Sequence, residues 1–346
     1  MAFHVSRFST IVVGCLLVTG CDALVEAVTK GSEAVTEAAD GGGGGTPDDK
    51  LGEKLNPYIT CINQSTGAVR RAADRYADWV DKDKGVTGTE KNVYGIFEIS
   101  DQSMCIDGVK KSADLEPDDP ALETAASEYV TTLQAAITVV DEAYKYYDEK
   151  NYEDDKFAKA KELHPKLIKA FDDFEAADKK FRDLVVSQNN GLLERELERI
   201  EKEQGQKLRW QQAKLMNVAK KLMDATDAEI TETGELKLDV AKFDPAFEAY
   251  EKQLDGLVAY TKANKAETDS ITMFSRFVDS AEELKKAGKE MSRRQRDAKK
   301  YDQSELERLS SWPEQVEGNP MKFGKLYDDL VQSSNSLSWN FYKPNG

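Results

Sequence analysis

The chain has 346 residues, of which 48 are Lys or Arg and 64 are Asp or Glu, so its formal net charge is −16. Such an acidic excess keeps a chain soluble and argues against nucleic acid or anionic lipid as a binding partner of the folded part. With 40% hydrophobic and 32% charged residues, the composition is that of a globular chain that can build a core.

The N-terminus predicts a secretory signal peptide over residues 1–20. One cationic side chain, Arg7, precedes the short apolar run Ile11–Val18, and this order is typical of an export signal. The run is shorter than the roughly 20 apolar residues that span a bilayer. The sequence therefore predicts export and not a membrane-spanning helix at this end.

The segment Val18-Thr19-Gly20-Cys21 resembles the lipobox of bacterial lipoproteins, in which small residues precede a lipidated cysteine. We expect Cys21 to begin the mature chain and to carry palmitate-type acyl chains, because two or more chains anchor a protein stably. The alternatives are an ordinary signal peptide with a chance cysteine, and a second box at Cys15 that would halve the apolar run. Asp22 resembles an inner-membrane retention signal. These features predict a cell-envelope lipoprotein whose body lies in the periplasm.

Residues 21–50 predict a flexible tether between the lipid and the body. The stretch contains the glycine run Gly41–Gly45, followed by Thr46-Pro47-Asp48-Asp49-Lys50. Glycine runs behave as flexible coil, and a coil of this length has a root-mean-square reach of roughly 30 Å. Such a tether keeps the body near the membrane without fixing its orientation.

From residue 51 to residue 346 the sequence predicts one all-α domain, an elongated bundle of about seven to nine long amphipathic helices. Apolar residues recur every three or four positions with charged residues between them, as in helices that bury one face. These stripes cover 122–144, 163–185, 193–222, 243–258 and 274–284. The best candidate for a strand is Ile230–Val240. The pattern leaves open whether the helices form one bundle or two sub-bundles.

Cys61 and Cys105 predict a disulfide. Once Cys21 carries lipid, they are the two cysteines that remain in the mature chain, and an exported protein enters an oxidising compartment. The alternative is a redox-active dithiol, which usually has its cysteines close in sequence, as in Cys-x-x-Cys. The wide spacing of this pair favours the structural role.

The sequence contains no recognisable catalytic or metal-binding motif. His164 is the only histidine after residue 20, and histidine triads and zinc sites need further ligands that converge on it. Phosphate-binding loops, dinucleotide fingerprints and nucleophile elbows are absent from the sequence. The acidic clusters are typical of solvated helix faces and helix N-termini. We therefore expect no enzyme, no cofactor and no metal; a hydrolase built on carboxylates has no positive support.

Two segments resemble a known family. One combines Tyr144-Lys145-Tyr146-Tyr147 with Asn151–Lys159 and Glu162-Leu163-His164, and the other is Leu55–Asn63. Both resemble motifs of the YiiG family of bacterial lipoproteins. The resemblance extends from about residue 51 to residue 342, although only these two motifs are specific. It implies a helical domain and assigns no activity.

The tyrosine-rich motif is also a candidate binding patch. Tyrosines where one helix ends and the next begins are usually core residues with the hydroxyl at the rim. The alternative is a patch that stacks a sugar-like or cationic ligand on its rings and binds it with acidic and histidine side chains. The candidate residues are Tyr146, Tyr147, Tyr152, Asp154, Asp155 and His164.

The sequence leads to two functional hypotheses. The first is a membrane-anchored, non-catalytic interaction or scaffold protein whose partner is another protein of the cell envelope. The second is a protein that binds a small ligand or a peptidoglycan fragment in a cleft between helices. The long tether and the solvated acidic helices favour the first hypothesis.

Overall fold

The structure, a computed structural model, describes residues 46–231, 233–309 and 311–339. The predicted signal peptide, the lipidation site Cys21, the sorting residue Asp22 and most of the predicted tether lie outside these residues. The described chain divides into two compact units. The N-terminal unit ends at Asn189 and the C-terminal unit begins at Asn190.

The described residues are predominantly helical. The N-terminal unit holds α1 (Pro47–Ala77), α2 (Ser103–Ala113), α3 (Pro120–Asp148), α4 (Asn151–Asp155) and the larger part of α5 (Ala158–Gln204). The C-terminal unit follows with α6 (Leu208–Ala225), β1 (Ala228–Ile230), β2 (Leu236–Leu238), α7 (Val240–Ala263), α8 (Lys265–Asp269), α9 (Phe274–Arg296), α10 (Gln303–Leu309), a 3₁₀ turn (Pro313–Gln315) and α11 (Pro320–Asn335).

Three of the long helices begin where side chains satisfy their first backbone N–H groups. Thr46 and Asp49 form a reciprocal capping box at the start of α1, with the Asp49 N–H donating to Thr46 Oγ1 at 3.2 Å. Asp119 caps α3 and Asn319 caps α11, and in all three helices proline occupies the first turn. Proline suits that position because its missing N–H has no helical partner there. Helix α1 thus takes in residues 47–50, which the sequence pattern assigned to the tether.

The core of the N-terminal unit is built around aromatic rings from α1, α3 and α5. The ring centroids of Tyr58 and Phe181 lie 5.2 Å apart, as do those of Tyr129 and Phe181. The ring centroid of Phe174, two turns before Phe181 on α5, lies 5.3 Å from that of Tyr129. Offset and edge-on ring pairs at such distances add to the stability that apolar burial provides. These contacts hold the three helices together.

A buried polar network lies beside this core. Asp178 accepts a hydrogen bond from Thr66 Oγ1 at 2.6 Å and from the Arg182 guanidinium at 2.9 Å. Both charged side chains are more than nine-tenths buried. An ion pair in the interior is stable only when its remaining polar atoms also have hydrogen-bond partners. The hydroxyl of Thr66 is such a partner for Asp178. The network fixes α1 against α5 in one register.

The C-terminal unit has a core rich in phenylalanine and a buried ion pair between α9 and α10. Phe243 stacks on Phe247 with centroids 5.4 Å apart, and the Tyr250 hydroxyl donates to the Ala281 carbonyl at 2.8 Å. Arg294, only 4% exposed, donates to Glu305 at 2.7 Å and lies 3.9 Å from the centroid of the Tyr301 ring. This arrangement joins the end of α9 to α10.

The all-α prediction is confirmed. The one sheet among the described residues is the antiparallel pair β1–β2, and its second strand lies inside the predicted candidate Ile230–Val240. Eleven α-helices lie in the described ranges, more than expected, because three span only five to seven residues. The stripe predicted over 193–222 is interrupted at Gly205, whose φ of 73° ends α5.

Candidate functional site

The tyrosines of the predicted patch belong to an aromatic cluster at the C-terminal ends of α1 and α3. Trp79 meets Tyr147 edge-on with centroids 5.2 Å apart, and Tyr76 lies 5.7 Å from Trp79 and 6.4 Å from Tyr147. Tyr146 adds a further edge-on contact to Tyr147 at 5.0 Å. The cluster is therefore a packed core at the edge of the N-terminal unit.

Asp155 acts as a cap for α5. One carboxylate oxygen accepts the Lys159 N–H at 2.9 Å, and the other accepts the Tyr146 hydroxyl at 2.7 Å. Burial opposes the charge, but the backbone hydrogen bonds and the one from Tyr146 lower the pKa of Asp155. An ionised carboxylate at a helix N-terminus is favoured by the helix dipole. This geometry gives Asp155 a structural role whether or not a ligand binds.

Tyr147 carries a buried hydroxyl without a hydrogen-bond partner in the described part of the chain. The side chain is only 5% exposed and its Oη atom has no donor or acceptor in hydrogen-bonding geometry. Burial, and then the neighbouring Tyr76, raise the pKa of Tyr147 well above its usual value. A buried, unpaired hydroxyl destabilises a fold. The ring of Tyr147 is thus enclosed. The binding patch considered from the sequence would need this ring to be exposed so that a ligand could stack on it.

Tyr152 and Asp154 lie on the short helix α4. Tyr152 is half-buried and stacks on Phe157 with centroids 5.1 Å apart. Asp154 is exposed in the first turn. Lys156 and Phe157 both adopt positive φ, a conformation that costs free energy in non-glycine residues and so requires surrounding contacts to hold it. The structure brings Tyr146, Tyr147 and Tyr152 together; that they bind a ligand stays a prediction.

His164 connects the cluster to the long loop 78–102. Its Nε2 atom lies 3.0 Å from the Lys82 carbonyl and its Nδ1 atom 3.0 Å from the Tyr76 hydroxyl. Because a carbonyl can only accept, Nε2 donates, and in the neutral ring Nδ1 accepts from Tyr76. Gly85 packs on the imidazole so closely that a Cβ atom would lie 2.8 Å from the ring. His164 and Pro165 lie inside α5, which begins at Ala158.

The same loop carries an exposed stack that the sequence patterns did not reveal. The Arg75 Cζ atom lies 5.1 Å from the ring centroids of both Tyr94 and Phe97. Tyr94 is 49% exposed and Phe97 is 51% exposed. Arg75 Nε donates to the Tyr94 carbonyl at 3.1 Å, and Trp79 Nε1 donates to the Gly95 carbonyl at 2.8 Å. We call Arg75, Tyr94 and Phe97 the Arg75 stack.

Cys61 and Cys105 form a disulfide that joins α1 to α2, the pairing that the sequence predicts. Their Cα atoms lie 4.5 Å apart, and both side chains are buried. Ser65 lies one turn after Cys61 and donates to its carbonyl at 2.6 Å. The disulfide therefore lies in the core and holds the segment that follows the long loop.

The described residues offer few other sites. No three His, Cys, Asp or Glu side chains in the described ranges come together as metal ligands. Within the same ranges no helix has the length and apolar character needed to cross a bilayer. Two shallow surface depressions occur in the N-terminal unit. The one beside His164 has a volume of about 490 Å³, and the other, between α3 and α5, about 680 Å³.

The chain has known relatives. Residues 49–336 match a family described as "Protein of unknown function (DUF3829)". The chain belongs to this family. It is also 32% identical over 294 residues to "Uncharacterized protein YiiG" of Escherichia coli strain K12, a match that covers 82% of this chain and 78% of that protein. No solved structure gave a significant match. Membership of the DUF3829 family confirms the resemblance seen in the two motifs and assigns no activity.

Proposed function

We propose that this DUF3829 protein is a lipid-anchored, non-catalytic interaction protein of the bacterial cell envelope. The lipobox ending at Cys21 supports the anchor. The single observation that supports a partner is the Arg75 stack, which exposes two large rings beside a guanidinium. Tyrosine, phenylalanine and arginine are enriched at protein interfaces, and tyrosine and arginine dominate their binding energy.

The Arg75 stack is held in place before any partner arrives. The hydrogen bond from Arg75 to the Tyr94 carbonyl and the one from Trp79 to the Gly95 carbonyl tie the loop to the end of α1. A surface that is already ordered loses less conformational entropy when it binds. The stack therefore has the composition and the rigidity of a binding surface.

The position of the Arg75 stack also suits this function. The tether enters α1 at Thr46, and Arg75 lies in the last turn of that helix. A helix of 31 residues is about 46 Å long at 1.5 Å per residue. The end of α1 that follows the proposed tether and the end that carries the proposed binding surface are thus about a helix length apart, so a partner can bind the Arg75 stack without contacting the start of α1.

The ligand-binding alternative has weaker support. Tyr146 and Tyr147 are buried and cannot stack on a ligand without rearrangement. The depression beside His164 is lined by charged side chains that already pair with one another, among them Lys169 and Asp173 at 2.6 Å. A ligand site usually combines an enclosed apolar pocket with a few convergent polar groups. Neither depression has that form.

Site-specific photocrosslinking in living cells tests the proposed partner. Phe97 is replaced by benzoylphenylalanine in the full-length chain, and Trp312, which is 56% exposed in the C-terminal unit, is replaced in a matched control. We expect a discrete protein adduct from position 97 that disappears when Tyr94→Ala is added. If position 97 gives no adduct beyond those from position 312, the proposed interaction surface is wrong.

The anchor has a separate test. Cys21→Ser removes the thiol that would accept lipid, so the variant should leave the membrane fraction while its circular dichroism remains that of the wild type. A variant that still sediments with membranes would contradict the proposed lipid anchor, whatever the crosslinking shows.

A further inference from the structure

We infer that the Arg75 stack recognises a carboxylate. Its occupant is a segment of a partner protein that carries a carboxylate next to an apolar side chain. This inference rests on the proposed function and names the chemistry of the partner. Three features of the stack carry it: the open hydrogen-bond donors of Arg75, the two rings that hold the guanidinium, and the charges that surround it.

The first feature is the set of N–H groups that Arg75 leaves unused. A guanidinium has five N–H donors, and the one on Nε donates to the Tyr94 carbonyl. The nearest carboxylate oxygen, on Asp78, lies 4.0 Å from a terminal nitrogen, which is beyond hydrogen-bond distance. Within the described ranges, the terminal nitrogens of Arg75 therefore donate to no acceptor. Two parallel N–H groups on such a guanidinium match the two oxygens of a carboxylate.

The second feature is the pair of rings. Tyr94 and Phe97 both lie within the range at which an aromatic ring attracts a cation. They restrict the rotamers of Arg75 and remove water from part of the guanidinium. Both residues are about half exposed, which leaves apolar surface to cover an apolar side chain next to the bound carboxylate. The stack can thus bind the charged and the apolar part of one segment at the same time.

The third feature is the balance of charge along the last turns of α1. Arg71 is exposed one turn before Arg75, Asp74 lies on the same helix, and Asp78 is the residue at its C-cap. Burial, and then the Asp78 charge, raise the pKa of Asp74. The local charge is nearly neutral on a chain with a net charge of −16, so a polyanion such as nucleic acid is repelled as a whole. A single carboxylate recognised by bidentate hydrogen bonds is the anion that fits.

Two matched peptides test the inference with the mature full chain in detergent micelles. Acetyl-benzoylphenylalanyl-glutamate amide carries a carboxylate next to a photoreactive ring, and the glutamine peptide of the same sequence lacks only the charge. We expect the glutamate peptide to label the segment 94–97 about tenfold more than the glutamine peptide, because charge-assisted bidentate hydrogen bonds are lost in the latter. Peptide mapping by mass spectrometry locates and quantifies the adduct.

Two arginine variants complete the design. Arg75→Lys keeps the charge but loses the planar fork, so glutamate-peptide labelling should fall to the glutamine-peptide level, whereas Arg71→Lys should leave it unchanged. Circular dichroism and melting temperature identify a variant that fails to fold, and Phe97→Ala then provides a second disruption of the stack. Equal labelling by the two peptides, or unchanged labelling of Arg75→Lys, overturns the inference.

The peptide-labelling test of carboxylate recognition and the crosslinking test of the proposed function can fail independently of each other. An adduct from position 97 in cells together with equal labelling by the two peptides would retain the interaction surface and reject carboxylate recognition. Charge-dependent peptide labelling without a cellular adduct would retain the carboxylate site and reject the proposed partner.

Discussion

The two units of the chain are stabilised in different ways. The N-terminal unit combines a disulfide, a buried polar network and a 25-residue segment, 78–102, that has no helix or strand longer than a single bridge. The C-terminal unit has no cysteine and relies on a phenylalanine core closed by the pair Arg294–Glu305. The irregular segment buries the aliphatic side chains of Val80, Val86, Ile96 and Ile99, and the disulfide closes the stretch of chain that contains it. The unit that carries the Arg75 stack is therefore the one with a crosslink.

Removal of the disulfide should have the largest effect and should be confined to one unit. Replacing Cys61 and Cys105 together by alanine should lower the free energy of unfolding of the N-terminal unit by up to about 4 kcal/mol, because the unfolded loop regains its entropy. Hydrogen exchange measured by mass spectrometry should show lost protection in α1 and α2 and unchanged protection in α7 and α9. Equal losses in both units would contradict the division drawn here.

Loss of the buried ion pair should affect the other unit. Glu305→Gln leaves Arg294 buried without its counter-charge, which should cost about 3 kcal/mol at neutral pH. The hydrogen bond from Arg294 lowers the pKa of Glu305, against the opposing effect of burial. The stabilisation is thus fully present above the pKa of Glu305 in the unfolded chain, which is about 4.3. It is lost as the pH falls through the lower pKa of Glu305 in the folded chain.

Chemical denaturation between pH 3 and pH 7 checks this prediction. The difference between the wild type and Glu305→Gln should be constant near neutral pH and should shrink below about pH 4, as the wild-type carboxylate takes up its proton. A difference that does not change with pH would mean that the charge of Glu305 contributes nothing.

Alanine substitutions at two glycines of the C-terminal unit compare a tightly packed helix position with an open one. A Cβ atom at Gly288 would lie 2.3 Å from Cε2 of the Phe247 ring, whereas one at Gly256 would meet no atom within 4 Å. Gly288→Ala should therefore cost about 2 kcal/mol by overpacking. Gly256→Ala should stabilise its helix by about 0.5 kcal/mol or more. Thermal melting measures both, and partial rescue of Gly288→Ala by Phe247→Leu would assign its loss to the ring.

The smallest predicted effect is a difference in stability between phenylalanine substitutions at two adjacent tyrosines of the N-terminal unit. Tyr146→Phe removes the hydrogen bond to Asp155 and should cost about 1 kcal/mol, whereas Tyr147→Phe removes a hydroxyl that has no partner and should cost nothing measurable. Urea denaturation of the two variants measures the difference. A larger loss for Tyr147→Phe would reveal a partner for its hydroxyl and would renew the case for a ligand at this cluster.

Much of the fold follows from local signals in the sequence. Asp119-Pro120 and Asn319-Pro320 lie at helix starts, where each pair supplies a capping oxygen and a proline in the first turn. Thr46-Pro47 supplies the same local signal, but it follows the glycine run, where the sequence pattern predicts a tether. The apolar stripes predict the buried faces because helical periodicity and burial have one geometric cause. The disulfide pairing follows from counting the cysteines of a chain that we predict to be exported.

The Arg75 stack could not be predicted in this way. Arg75 belongs to a helix, while Tyr94 and Phe97 belong to a segment without periodicity, so no spacing brings the three side chains together. The partner of His164 is the backbone carbonyl of Lys82, and a carbonyl is present at every residue. Contacts between a helix and an irregular loop depend on tertiary structure, which single-sequence patterns do not encode.

The disulfide also has a mechanical consequence. If the proposed lipid anchor is pulled, tension would enter α1 at Pro47 and reach Cys61 after roughly 21 Å of helix. There the covalent bond to Cys105 shares the load with α2. The part of α1 from Cys61 to Arg75 lies beyond this branch point and bears less of the strain. The disulfide would then reduce the force that reaches the Arg75 stack, so that its three side chains keep their arrangement when the proposed tether is pulled.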